Sequence, residues 1–104
     1  MHPLIQRKRK DIVAACQRYG VRRLEVFGSA ARGADFDDRR SDVDFLVEFA
    51  PDSAAASSLQ EYLAFRAELE KILDRPVDLL PVDGTRNPYV RAEIDRSREE
   101  VHAA

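Results

Sequence analysis

The segment Ser41-Asp42-Val43-Asp44-Phe45-Leu46-Val47-Glu48-Phe49 alternates strongly in polarity along its length. A period of two is the repeat of a β-strand, in which residues two apart share a face. Val43, Phe45, Val47 and Phe49 are then expected on the core face, with Asp42, Asp44, Leu46 and Glu48 on the other. The same strand begins with two carboxylates side by side, about 7 Å apart along the backbone, near enough to share one or two metal ions. Burying two like charges without a cation is costly. The pattern therefore predicts one apolar strand face and one face with a chemical task.

Composition narrows the setting. With 104 residues the chain suits a single domain spanning 1–104, with a modest core. Its 44% hydrophobic and 35% charged residues are those of a globular chain, and no apolar run approaches the ~20 residues of a membrane helix. A net charge of −2 supplies no global positive field, so direct nucleic-acid binding is not expected. The basic run Arg7-Lys8-Arg9-Lys10 reads as a solvated helix face. Cys16 has no second cysteine to pair with and, with His2 and His102, gives no zinc-ligand spacing. The N-terminal stretch lacks the apolar core and cleavage site of a signal peptide, which makes the cytoplasm the expected compartment.

Local signals divide the chain into elements. Ile5, Ile12, Cys16 and Tyr19 fall on one helical stripe across residues 3–19, and Gly20 suits a left-handed stop. Leu24-Glu25-Val26-Phe27 reads as a short strand; Gly28-Ser29 follows, then one or two helical turns over Ala30-Ala31-Arg32-Gly33. Residues 34–40 read as a loop and residues 51–56 as a small-residue spacer. Ser57 and Ser58 each precede Gln60 or Glu61 by three, the signature of a capping box, and predict a helix to about Asp74 with Tyr62, Phe65, Leu69, Ile72 and Leu73 on its apolar face. Pro76 ends it. Val77-Asp78-Leu79-Leu80 reads as a third strand. Asn87-Pro88 predicts the cap and first residue of a last helix through about Glu100, anchored by Val90, Ile94 and Val101. The expected architecture is α/β (α+β): a small mixed three-stranded sheet flanked by helices, in the order α-β-α-β-α-β-α. Cys16 is expected in the core and His102 in solvent.

Within this frame Asp78 becomes informative. A right-handed crossover through the helix of residues 57–73 sets the third strand beside the second and brings Asp78 next to Asp44. Three carboxylates from two strands would then converge. Hard oxygen ligands suit magnesium or manganese, ions that commonly bridge nucleotide phosphates, and this points to a nucleoside triphosphate. Gly28-Ser29 at a strand-to-helix turn permits close backbone approach and presents amides to phosphate, with Arg32 as a nearby cation. Neither GxxxxGK[ST] nor GxGxxG is present, so this is neither a Walker loop nor a dinucleotide turn. An isolated D-x-D is common as a solvated or capping pair. The ordered set of strand, Gly-Ser, helix, Ser-Asp-x-Asp strand, helix and third-strand Asp carries the inference.

The segments Phe27-Gly28-Ser29-Ala30-Ala31-Arg32-Gly33, Ser41-Asp42-Val43-Asp44-Phe45-Leu46-Val47 and Val77-Asp78-Leu79-Leu80 resemble the minimal nucleotidyltransferases of the DNA polymerase beta-like superfamily. The resemblance spans about residues 24–80. It implies that fold, with Asp42, Asp44 and Asp78 binding two divalent ions (Mg2+, with Mn2+ as the alternative) and Gly28 and Ser29 holding the triphosphate of ATP. It also implies a partner, a HEPN-domain ribonuclease toxin, which some such antitoxins silence by attaching AMP to a tyrosine. No acceptor-binding domain is evident, so a partner or a second copy of the chain is expected to complete the acceptor site. The alternatives are an antitoxin that neutralises by binding alone, and transfer to a small molecule such as an aminoglycoside.

Overall fold

A computed structural model describes residues 1–32, 42–84 and 86–104, with Arg32 described in its backbone only. The loop expected over 34–40, together with Gly33 and Ser41, lies outside the described residues. The elements run α1 (Pro3–Arg18), β1 (Val21–Phe27), α2 (Ser29–Arg32), β2 (Val43–Phe49), α3 (Ala54–Ser57), α4 (Leu59–Leu73), β3 (Val77–Pro81), α5 (Pro88–Ser97) and β4 (Glu99–Ala103). The strands form one mixed sheet in the order β3-β2-β1-β4. β1 is antiparallel to both β2 and β4, whereas β2 and β3 are parallel.

Capping chemistry sets the helix ends. α1 starts at Pro3, where a missing N–H costs nothing, and His2 Nδ1 accepts the Leu4 amide at 3.0 Å. The helix gives way to Gly20 at φ +69. Ser58 Oγ accepts the Glu61 amide at 3.3 Å at the head of α4, and Asp74 closes it in the left-handed region at φ 55. Asn87 Oδ1 takes the Tyr89 amide at 2.9 Å to open α5.

Two elements differ from the sequence reading. The spacer of residues 51–56 contains the single turn α3, which Ser53 caps through the Ala56 amide. The last helix ends at Ser97, and Glu99–Ala103 forms a fourth strand on the free edge of β1, where Val101 is buried. A strand there gives the β1 edge backbone partners that a continued helix would leave unpaired. His102 consequently stands half-buried in β4 with Nε2 enclosed, not in solvent.

Both faces of the sheet are covered. On one face Leu24, Val26, Val43, Phe45 and Val47 pack with Ile5, Ile12 and Cys16 of α1 and with Phe65, Leu69 and Leu73 of α4. On the other, Phe27 and Leu46 pack with Ile94 of α5. Leu46 shares the face expected to be polar, yet it is fully buried in the cluster with Phe27 and Ile94. Val90, expected as an anchor of the last helix, is exposed. No described helix is long and apolar enough to cross a membrane.

Candidate functional site

The site lies at one end of the sheet, where β1 leaves it and β2 and β3 enter. Asp44 is the second residue of β2 and stands in register with Phe27 on one side and Asp78 on the other. Adjacent strands are about 4.8 Å apart, so the two aspartates are neighbours across a parallel ladder. The pairing expected of Asp44 and Asp78 is therefore present. Asp42, one residue before β2, is exposed, as is Asp78, while Asp44 is half-buried.

β3 holds Asp78 in place although it is an edge strand. Its open edge is covered by α4: Tyr62 Oη donates to Leu79 O at 2.6 Å, and Arg66 Nε donates to Val77 O at 3.1 Å. Glu70 Oε2 accepts the Val77 amide at 3.1 Å. These bonds satisfy the edge on both sides of Asp78. Desolvation pushes the Tyr62 hydroxyl above its ordinary pKa, so it remains the donor in this contact.

Opposite Asp78, the chain leaves β1 through Gly28 at φ +70. The backbone angle favours glycine, and a Cβ built on Gly28 would lie 2.8 Å from Asp44 Oδ2, so a side chain here would displace that carboxylate. Ser29, half-buried, opens α2. The Gly28 amide donates to Ser97 Oγ at 2.9 Å, and the Ser97 hydroxyl donates to Glu93 O at 2.9 Å. One residue on, Arg98 grips Glu25 of β1 through two parallel bonds of 2.9 and 2.7 Å, and reaches Asp95 at 3.3 Å. That grip holds the Glu25 carboxyl below its ordinary pKa and raises the Arg98 guanidinium, each stabilising the other's charge. Sequence reasoning missed Ser97, Glu25 and Arg98, because no local motif links the end of α5 to β1.

Among the described residues, no group of three or more His, Cys, Asp or Glu side chains stands close enough to hold a metal ion. The backbone sets Asp44 beside Asp78 with Asp42 close in sequence, but the three side chains do not converge as the sequence suggested. Like charges in solvent gain nothing by converging on their own. The donor set still fits a hard divalent cation: carboxylate oxygens from two registered strands, beside a glycine whose missing side chain leaves room at Asp44. The side chain of Arg32 lies outside the described residues.

Comparison with known proteins agrees with this geometry. The profile of the nucleotidyltransferase domain family matches residues 9–101. A candidate protein adenylyltransferase of Methanocaldococcus jannaschii is 41% identical over 91 residues, covering 88% of this chain and 85% of its own. A solved structure described as a candidate minimal nucleotidyltransferase superposes with a TM-score of 0.71 at 30% identity, covering 95% of each chain. The complex of a tri-AMPylated Shewanella oneidensis HEPN toxin with its MNT antitoxin contributes a chain of the same fold, with a TM-score of 0.64 at 15% identity, covering 96% of this chain and 73% of that one. Because β1, β2, β3 and all three aspartates fall within the matched span, the chain belongs to the nucleotidyltransferase domain family and is a nucleotidyltransferase.

Proposed function

We propose that this chain transfers AMP from ATP to a tyrosine hydroxyl of a HEPN-domain ribonuclease toxin, and so acts as the antitoxin of that pair in the cytoplasm. The observation that carries the reading is the register of Asp44 with Asp78 beside the Gly28-Ser29 turn. Support for AMP as the group and for the partner comes from the archaeal candidate adenylyltransferase and from the shared fold of a chain in the AMPylated HEPN toxin complex.

In this reading Asp42 and Asp44 would hold one magnesium ion (manganese serving as the alternative), and Asp44 and Asp78 would hold a second. Such ions, when bound, neutralise phosphate charge and lower the pKa of an acceptor hydroxyl. The residues of the chain do the rest by placement. Gly28 and Ser29 seat the triphosphate, Arg32 adds a cation, and Asp78, exposed at the edge of the sheet, receives the proton of the attacking hydroxyl. A bond forms between that oxygen and the α-phosphorus while the bond to the bridging oxygen breaks, releasing pyrophosphate. Catalysis is then chiefly positioning and charge neutralisation.

The test is intact-mass analysis of a HEPN-domain toxin protein after incubation with this chain, ATP and magnesium, beside an Asp42→Asn/Asp44→Asn control. A gain of AMP masses confined to the intact chain supports the reading. A tight complex with no mass gain contradicts it in favour of neutralisation by binding, and a modified small molecule with an unmodified protein contradicts the acceptor.

A further inference from the structure

The requirement for glycine at position 28 creates a problem that the end of α5 resolves. A residue without a side chain adopts φ +70 at no steric cost and leaves the Asp44 carboxylate where it is, whereas a Cβ at this position would displace Asp44 Oδ2. Glycine, however, is the residue with the widest choice of backbone conformations, so the turn that carries Ser29 is intrinsically loose. The Gly28 amide is fixed by Ser97 Oγ at 2.9 Å. The Ser97 hydroxyl has its own proton committed to Glu93 O at 2.9 Å, so its oxygen faces the amide purely as an acceptor. Ser97 is in turn anchored by its neighbours: Ile94 is sealed in the apolar cluster with Phe27, and Arg98 is forked onto Glu25.

We propose that Ser97 is a positioning residue for the nucleotide: its bond to the Gly28 amide selects the one conformation of the Gly28-Ser29 turn that faces Asp44, and so pre-organises the phosphate seat. The proposal rests on the reading of Gly28-Ser29 and Asp44 as the nucleotide site. Loss of the hydroxyl frees Gly28 to sample other conformations, and the nucleotide must then supply the ordering that Ser97 provides.

The experiment is calorimetric titration of ATP, with magnesium in excess, into the full chain and into Ser97→Ala, Ser97→Thr and Ser58→Ala, with a thermal melt of each. Ser58 caps α4, so Ser58→Ala serves as a control for lost stability alone. The expected result is that Ser97→Ala weakens ATP binding roughly 3- to 10-fold, the value of one directed hydrogen bond. Ser97→Thr restores wild-type affinity, and Ser58→Ala lowers the melting temperature with affinity unchanged. Wild-type affinity in Ser97→Ala, an equal loss in Ser58→Ala, or failure of threonine to restore binding overturns the positioning role while leaving the nucleotide site standing. Absence of ATP binding by the wild-type chain overturns the site itself and this proposal with it.

Discussion

On the face covered by α1 and α4, Phe45, Phe65, Ile5, Ile12 and Leu69 are closed to solvent in an extensive apolar core, and the polar bonds of Tyr62, Arg66 and Glu70 lie at the edge strand β3. On the face covered by α5 the apolar cluster shrinks to Phe27, Leu46 and Ile94, and directed polar bonds fasten the helix: Ser97 to Gly28, Arg98 to Glu25. Apolar burial is strong but non-directional, and it tolerates small shifts; hydrogen bonds contribute less net energy and specify geometry. The first face therefore supplies stability. The second places a turn and a pair of carboxylates, and it is the face on which Asp44 and Glu25 stand.

Substitutions on the two faces should separate these roles. Phe65→Ala removes a fully buried ring from the first face and is expected to cost about 3–5 kcal/mol, read from chemical denaturation. The expected loss at Arg98 is smaller. Arg98→Ala strands the Glu25 carboxylate, which is 7% exposed, at a cost of roughly 1–3 kcal/mol. Its pH dependence sharpens the comparison. Arg98 holds the folded pKa of Glu25 below the ordinary value of 4.5, so the contribution is present above that value and is lost as pH falls through the lower folded one. The stability gap between wild type and Arg98→Ala should therefore narrow on acidification below pH 4.5, whereas the gap for Phe65→Ala should not.

Gly28→Ala is expected to cost on the order of 1–3 kcal/mol, through a side chain at φ +70, and to push the Asp44 carboxylate aside. Nucleotidyl transfer should fall further than the melting temperature predicts, which a radiolabel transfer assay beside a melt will show. The smallest effect is at Cys16. Burial pushes its thiol up to about 12, so iodoacetamide at pH 8 should leave the native chain unmodified and modify it only on unfolding, as followed by intact mass.

Legibility in the sequence follows the same division. Where structure depends on local chemistry it was readable: the Ser58 cap, the stop at Asp74 before Pro76, the Asn87-Pro88 start, and the apolar stripe of α4. The neighbourhood of Asp44 and Asp78 was readable because each lies near the start of its strand and a helical crossover joins the two strands, although β2 begins at Val43 and leaves Asp42 just outside it. β4 was not, since Glu99, Glu100 and His102 flank a single buried Val101, and only pairing with β1 makes that stretch a strand. Nor was the burial of Leu46, which depends on Ile94 nearly fifty residues later. Ser97 and the Glu25–Arg98 pair share that cause: their partners lie about 70 positions away, beyond the reach of any periodicity.

Whether Asp44 and Asp78 carry the chemistry is tested most directly by the initial rate of AMP transfer to a HEPN-domain acceptor by Asp44→Asn and by Asp78→Asn, with the melting temperature of each variant recorded. Asparagine keeps the shape of each side chain and removes its charge. Each substitution is expected to lower transfer by about 100-fold or more, the scale on which catalytic groups act, while the melting temperature holds or rises as repulsion between the neighbouring carboxylates is relieved. Transfer at the wild-type rate in either variant would contradict that role.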